Sequence, residues 1–174
     1  LNINATPVLA CDSASDTVDG VVELATAAET TTGTDATRAV TPDGLAGSVY
    51  GKRVVYIKVI DEDISLTTGN GQAYFKVPTE LDGYNLVDAD AAVYTPSSGT
   101  GDILIQLARV RRTDGTGAGT AVYMLLTRIT TDANELYSYT AGTQPVIDTS
   151  NDDVLQNASN QDMIRVDAYG AGTG

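Results

Sequence analysis

Residues 102–112 read Asp-Ile-Leu-Ile-Gln-Leu-Ala-Arg-Val-Arg-Arg, and they constrain the fold more than any other stretch. Apolar and polar side chains take turns there over ten positions. Side chains of a strand point alternately to its two faces, so such a run fits a strand with one face on a core. The spacing predicts Ile103, Ile105, Leu107 and Ala108 facing inward and Gln106 and Arg109 facing solvent. Similar signals recur down the chain. Residues 52–60 are β-branched and aromatic until Asp61-Glu62-Asp63 breaks them. Residues 73–77 follow a Thr68-Gly69-Asn70-Gly71 turn and stop at Pro78. Residues 84–94 form a longer run, closed by the turn at 95–101. Residues 163–169 alternate well, and 136–139 and 146–148 are shorter. Residues 122–129 are apolar throughout, which fits a buried strand or a short helix equally well. Seven or eight short strands separated by turns predict an all-β domain over 49–174, an antiparallel jelly-roll-like β-sandwich.

The first 48 residues are of another kind. Residues 1–19 are weakly patterned, contain Pro7, and predict an extended attachment arm. Residues 20–48 are rich in Ala, Thr and Gly, and predict one short helical turn with Thr41 as N-cap and Pro42 in the first helical position. Such small side chains bury too little apolar area to fold alone. From the residues alone this segment is a flexible linker, or one that orders against something else.

Composition removes several function classes. Ten basic residues stand against 23 acidic ones, a net charge of −13. That surface repels phosphates and anionic lipid heads, so neither nucleic acid nor membrane is an expected partner. No histidine is present, which removes Ser-His triads and most zinc sites. Cys11 is the only cysteine, so no disulfide forms within the chain. Gly115-Thr116-Gly117-Ala118-Gly119 is a turn with no helix pattern after it, not a phosphate loop. Carboxylates are left. Asp61, Glu62, Asp63, Asp88, Asp90, Asp152 and Asp153 include the pair a glycosidase would need, and 61–63 or 151–153 offer hard oxygen ligands to calcium. Solvated turn carboxylates are the favoured reading of both groups. No catalytic residue, no resident metal and no cofactor are therefore expected.

Residues 20–46 carry the one specific resemblance. Val22-Glu23-Leu24-Ala25-Thr26, then Ala28-Glu29, Gly33-Thr34-Asp35, Arg38-Ala39-Val40-Thr41-Pro42 and Gly44-Leu45 stand in the order and spacing of the short repeat of bacteriophage tail-fibre and related virion fibre proteins. The second half resembles the small jelly-roll domains of phage fibre and head-fibre proteins, through 101–109, Met124-Leu125-Leu126-Thr127-Arg128-Ile129-Thr130, Asp152-Asp153 and Ile164-Arg165-Val166-Asp167. In such domains a further strand is expected after the Gly-rich turn at 170–174.

The resemblance implies a virion structural protein that is not an enzyme. It would be a homotrimer with an arm at 1–19, an oligomerisation segment at 20–48 and a β-domain at 49–174. Val21, Val22, Leu24, Val40 and Leu45 would meet at the three-fold axis, and Glu23, Glu29 and Arg38 would pair between chains. Its partners would be other virion proteins of the tail, baseplate or capsid, and a host surface glycan. A head fibre or capsid decoration protein on the same fold is the alternative, and a carbohydrate-active enzyme a more distant one. Nine tyrosines are the aromatic resource. Tyr137 and Tyr139, beside Asn134, are the predicted glycan contacts, with a strand or interface role as the bland alternative.

Overall fold

The computed structural model describes Ala14 and residues 20–61, 64–113 and 119–172. Most of the expected arm at 1–19, Cys11, Glu62, Asp63 and the glycine-rich loop at 114–118 lie outside these residues. The chain forms two compact units that divide after Tyr56. It is mostly β, with antiparallel sheets.

The N-terminal unit is built from local signals. Strand β1 (Glu23–Leu24) pairs in parallel with β2 (Arg38–Ala39). Between them lies helix α1 (Ala27–Thr32). Thr26 caps it by accepting from the Glu29 amide, while the Glu29 carboxylate accepts from the Thr26 amide at 3.0 Å, a reciprocal capping box. Gly33 ends the helix at φ 65°, a conformation that suits glycine. Helix α2 (Pro42–Ala46) follows, with Thr41 accepting from the Gly44 amide at 3.0 Å and Pro42 in the first turn, as the sequence predicts. Helix α1 is the difference. Thr-rich composition argues against a helix there, but a complete cap at each end outweighs a weak propensity over six residues. The segment expected to hold one short helical turn thus holds two capped helices and a short parallel pair.

The C-terminal unit holds the sheet. Strand β3 (Gly69–Lys76) pairs with β9 (Gln161–Ala171), β9 with β4 (Ile103–Arg112), and β4 with both β5 (Thr120–Tyr123) and β7 (Ile129–Thr131), all antiparallel. A second pair joins β6 (Leu125–Thr127) to β8 (Val146–Ile147). The undecided run at 122–129 is therefore strand, cut into three pieces. The core gathers Ile103, Ile105, Leu125, Ile129, Val166 and Ala168, with Ile57, Val59, Leu86 and Val93 packed against it. A satellite forms around Val77, Met124, Val154 and Ile164.

Three expected strands are not regular. In 136–139 only Tyr137 joins a bridge, and the chain turns into a 3-10 helix at Ser138–Thr140. Residues 52–60 join no sheet among the described residues, although Ile57 and Val59 still pack inward. The alternation there sets which side chains are buried; a ladder also needs a free neighbouring edge. Residues 84–94 pair only by single bridges, Asn85 with Asp153 and Ala92 with Tyr137. That run changes partner midway, so no ladder extends along it.

The outward placement of Gln106 and Arg109 is corrected. Both are buried. Strand β4 lies inside the sheet, and both of its faces are covered. Gln106 donates to the Leu125 carbonyl at 3.0 Å. Arg109 shares the parity of Ile105 and Leu107, and its guanidinium is met by Asp153.

Candidate functional site

Two aromatic surfaces and one belt of ion pairs hold most of the polar chemistry of the C-terminal unit. The belt takes up Asp153, one of the carboxylates that the sequence leaves without an assigned role. Arg111 forks onto Asp162 at 2.9 and 2.7 Å and reaches Asp153 at 2.8 Å. Arg109 also pairs with Asp153. Arg165 forks onto Asp167 at 2.8 and 2.7 Å. The Asp162 and Asp167 side chains are fully buried and also accept backbone amides, from Leu155 at 2.7 Å and Gly71 at 2.8 Å. Burial pushes the Asp153 carboxyl up, and hydrogen bonds from Arg111 and Arg109 more than offset it, so its pKa lies below the ordinary value. Arg111 is held above its ordinary value by its bond to Asp162.

Arg111–Asp162 links β4 to β9, Arg109 and Arg111 tie β4 to the turn at Asp153, and Arg165–Asp167 lies within β9. Asp153 is spent on two arginines, so the 151–153 turn is not an open oxygen cage. Asp61 pairs with Lys58 at 2.8 Å, and Asp88 accepts from the adjacent Ala89 amide. Among the described residues no group of three or more His, Cys, Asp or Glu is arranged to hold a metal.

The first aromatic surface is the predicted one. Tyr137 and Tyr139 stack on each other, with centroids 5.4 Å apart and planes 28° from parallel. Both are exposed, and both flank Ser138, which is buried. Ser138 fixes the loop: its amide donates to the Ala91 carbonyl at 2.9 Å, and its hydroxyl accepts from the Ala91 amide at 2.8 Å. Asn134 is exposed on the same loop at φ 67°, a left-handed conformation that asparagine tolerates better than most residues. Its amide donates to the Ser97 carbonyl at 2.8 Å. The loop thus offers two stacked, exposed phenols.

The second surface was not singled out in the sequence. The register between β4 and β9 runs from Leu104 opposite Gly170 to Ile105 opposite Ala168, and skips Tyr169. That bulge re-aims the Tyr169 ring. It requires Gly170, since a Cβ there would come within 2.5 Å of the Asp102 carbonyl oxygen. Tyr169 meets Tyr123 edge to face at 6.4 Å, and the two hydroxyls are in hydrogen-bond contact. That bond to Tyr169 raises the Tyr123 pKa. The Arg128 guanidinium lies 3.9 Å over the Tyr169 ring. Beside this ledge opens a pocket of about 520 Å³, lined in part by Tyr123, Leu126, Thr127, Arg128, Thr130 and Asp148. The sequence holds each of these residues, but only the bulge and the β5–β4–β9 pairing bring Tyr123, Arg128 and Tyr169 together.

In the N-terminal unit, Glu23, Glu29 and Arg38 do not await another chain. Arg38 reaches Glu23 at 3.2 Å, Glu29 at 2.9 Å and Asp35 at 2.5 Å within its own chain. Adjacency of β1 and β2 puts Glu23 directly opposite Arg38, which a linear reading does not reveal. The five predicted oligomerisation residues, Val21, Val22, Leu24, Val40 and Leu45, are all exposed. No helix among the described residues is long and apolar enough to cross a membrane. Comparison of the chain with protein-family models, curated proteins and solved structures finds no match.

Proposed function

We propose that this chain is a structural protein of a bacteriophage virion, a homotrimeric tail-fibre or spike component that attaches the particle to its host. The observation that carries the reading is the apolar surface of the N-terminal unit. Among its described residues only Ala25, Thr30, Gly44 and Ser48 are buried, while Val21, Leu24 and Val40 are each more than half exposed. Each such side chain gains about 1.5–3 kcal/mol when covered. A unit that keeps its shape through caps and ion pairs, and leaves its largest apolar groups outside, is suited to self-association. The resemblance of 20–46 to the fibre repeat supplies the three-fold arrangement.

In this reading the C-terminal unit is a jelly-roll-like sandwich. The five-stranded sheet is one layer, and β6, β8 and the chain around Leu86 and Val93 are the other. The sandwich projects from the particle and carries the tyrosine surfaces. Attachment is multivalent: three weak sites on one stiff fibre bind with an avidity none has alone. No residue acts as a catalyst.

Light scattering on the purified chain tests the reading. A molar mass near three times 18.1 kDa, with binding of the trimer to host cells, is the expected result. A monomer that binds capsids and leaves cells alone would replace it with the head-fibre or decoration reading.

A further inference from the structure

We propose that the Tyr123–Tyr169–Arg128 ledge binds the carboxylate of an acidic sugar, such as a uronic acid unit of a surface polysaccharide. The inference rests on the attachment reading for the source of the sugar, but its chemistry comes from the ledge alone.

Arg128 is the starting point. Arg38, Arg109, Arg111 and Arg165 all have carboxylate partners. Arg128 has none within ion-pair distance among the described residues, and its Nε is buried without a hydrogen-bond partner. Arg53 and Arg112 also lack a carboxylate partner among the described residues; Arg128 differs from them in lying over an aromatic ring at the wall of a pocket. It is also oriented. Its contact over the Tyr169 ring restrains the guanidinium, and a restrained fork is what two-point recognition of a carboxylate needs. Tyr169 is held in turn by the bulge in β9 and by its contact with Tyr123. Bulges are over-represented beside binding sites because they re-aim one side chain at little cost to the sheet.

The rest of the pocket fits the body of a sugar. Its volume of about 520 Å³ lies within the range of about 300–1,000 Å³ common for small-molecule sites. Leu126 is 70% exposed and gives an apolar face for ring C–H groups. Tyr123, Thr127 and Thr130, each with a hydroxyl, are among the residues of the wall. The Asp148 carboxylate is held ionised, its pKa lowered by bonds from Asn151 and the Ser150 amide. It accepts hydrogen bonds from sugar hydroxyls and repels any second negative charge. A pocket wall that carries one cation and one fixed anion suits a ligand of a single, planar charge. A phosphate monoester, with nearly two charges, fits worse, and a neutral sugar leaves Arg128 unused. The overall negative charge does not forbid this, since fields beyond about 8 Å are screened at physiological salt.

Titration of the full chain with trigalacturonic acid, a neutral galactose trimer and glycerol 3-phosphate, followed by calorimetry and amide NMR, tests the inference. Saturable binding of the acidic trimer is expected, with shifts at Arg128, Tyr123 and Thr127. Arg128→Gln should weaken it at least tenfold, Arg128→Lys several-fold because the two-point contact is lost, and Arg112→Gln not at all. Unchanged circular dichroism and thermal midpoint exclude misfolding, and Arg128→Lys serves if the glutamine variant does not fold. Equal affinity for the neutral trimer, tighter binding of the phosphate, or Arg128→Gln binding within twofold of the parent would each overturn the proposal. A trimeric protein that ignores the acidic sugar removes this inference and leaves the fibre reading standing. A monomer that binds it through Arg128 supports the inference and removes the trimer.

Discussion

The two units solve the same problem in opposite ways. The N-terminal unit takes its order from neighbours in sequence: Thr26 with Glu29, Asp35 with Thr37, Thr41 with Gly44, and an Arg38 network whose members are all partly exposed. The C-terminal unit takes its order from afar. Its cross-links join Arg111 to Asp162 and Gly71 to Asp167, residues 51 and 96 positions apart. The first unit has well-formed helices and no apolar core among its described residues. The second has a core, irregular margins and buried charge. Local hydrogen bonding can therefore specify a shape without hiding apolar surface, and hidden surface requires long-range pairing.

The sharpest way to break this contrast is to attack the buried charge. Asp162→Ala removes the fork that holds Arg111 and a bond to the Leu155 amide. Losing one partner of a buried pair is severe, and Arg111 keeps Asp153, so a loss of about 3 kcal/mol is expected in urea unfolding of the C-terminal unit. A change below 1 kcal/mol would mean that the ion belt is incidental to stability.

Next in size is the covered surface proposed for the N-terminal unit. Leu24→Ser together with Val40→Ser removes about 1.5–3 kcal/mol per side chain from an interface that buries them. The variant should sediment as a monomer at micromolar concentration with the thermal midpoint of the C-terminal unit unchanged. If it stays trimeric, the contacts lie elsewhere. If it was never trimeric, the exposed apolar groups have no such partner.

The same contrast explains what could be read in advance. Residues 102–112 and 163–169 announce strands because both are β-rich runs that lie in long ladders. Thr41-Pro42 announces a helix start because a cap is a local event. Helix α1 is just as local, and its Thr26-x-x-Glu29 signature was there to be found, but the composition of the segment masked it. Gln106 and Arg109 could not be placed. Whether a polar side chain in a strand meets solvent depends on what crosses over it, here the Leu125 carbonyl and Asp153. The Tyr137–Tyr139 surface was legible because both residues sit on one loop. The Tyr123–Tyr169–Arg128 ledge was not, because a single skipped residue in the register creates it.

A smaller effect sharpens the comparison from the local side. Thr26→Ala deletes the hydroxyl half of the capping box and should cost about 1 kcal/mol. Amide exchange should record this cost within Ala27–Thr32 and leave the amides of β4 and β9 unmoved. Equal losses in both places would show that the two units open as one.

The smallest effect expected is acid sensitivity through Asp153. The hydrogen bonds from Arg111 and Arg109 hold its folded pKa below the ordinary 3.8 against the upward push of burial. A lowered folded pKa means that the unfolded chain binds the proton more readily. The contribution to stability is therefore complete above the unfolded pKa and is lost as pH falls through the folded one. Asp153 is 39% exposed in its side chain, so solvent screens the pairs and the gain is modest. Thermal midpoints measured from pH 6 down to pH 2.5 should drop below about pH 4, and Asp153→Asn should be less stable at pH 6 and fall less steeply. Parallel acid curves for the two proteins would assign the acid sensitivity to other carboxylates. Glu29 and Asp35 of the N-terminal unit would be the first of these, since bonds from Thr26 and Thr37 lower their pKa values.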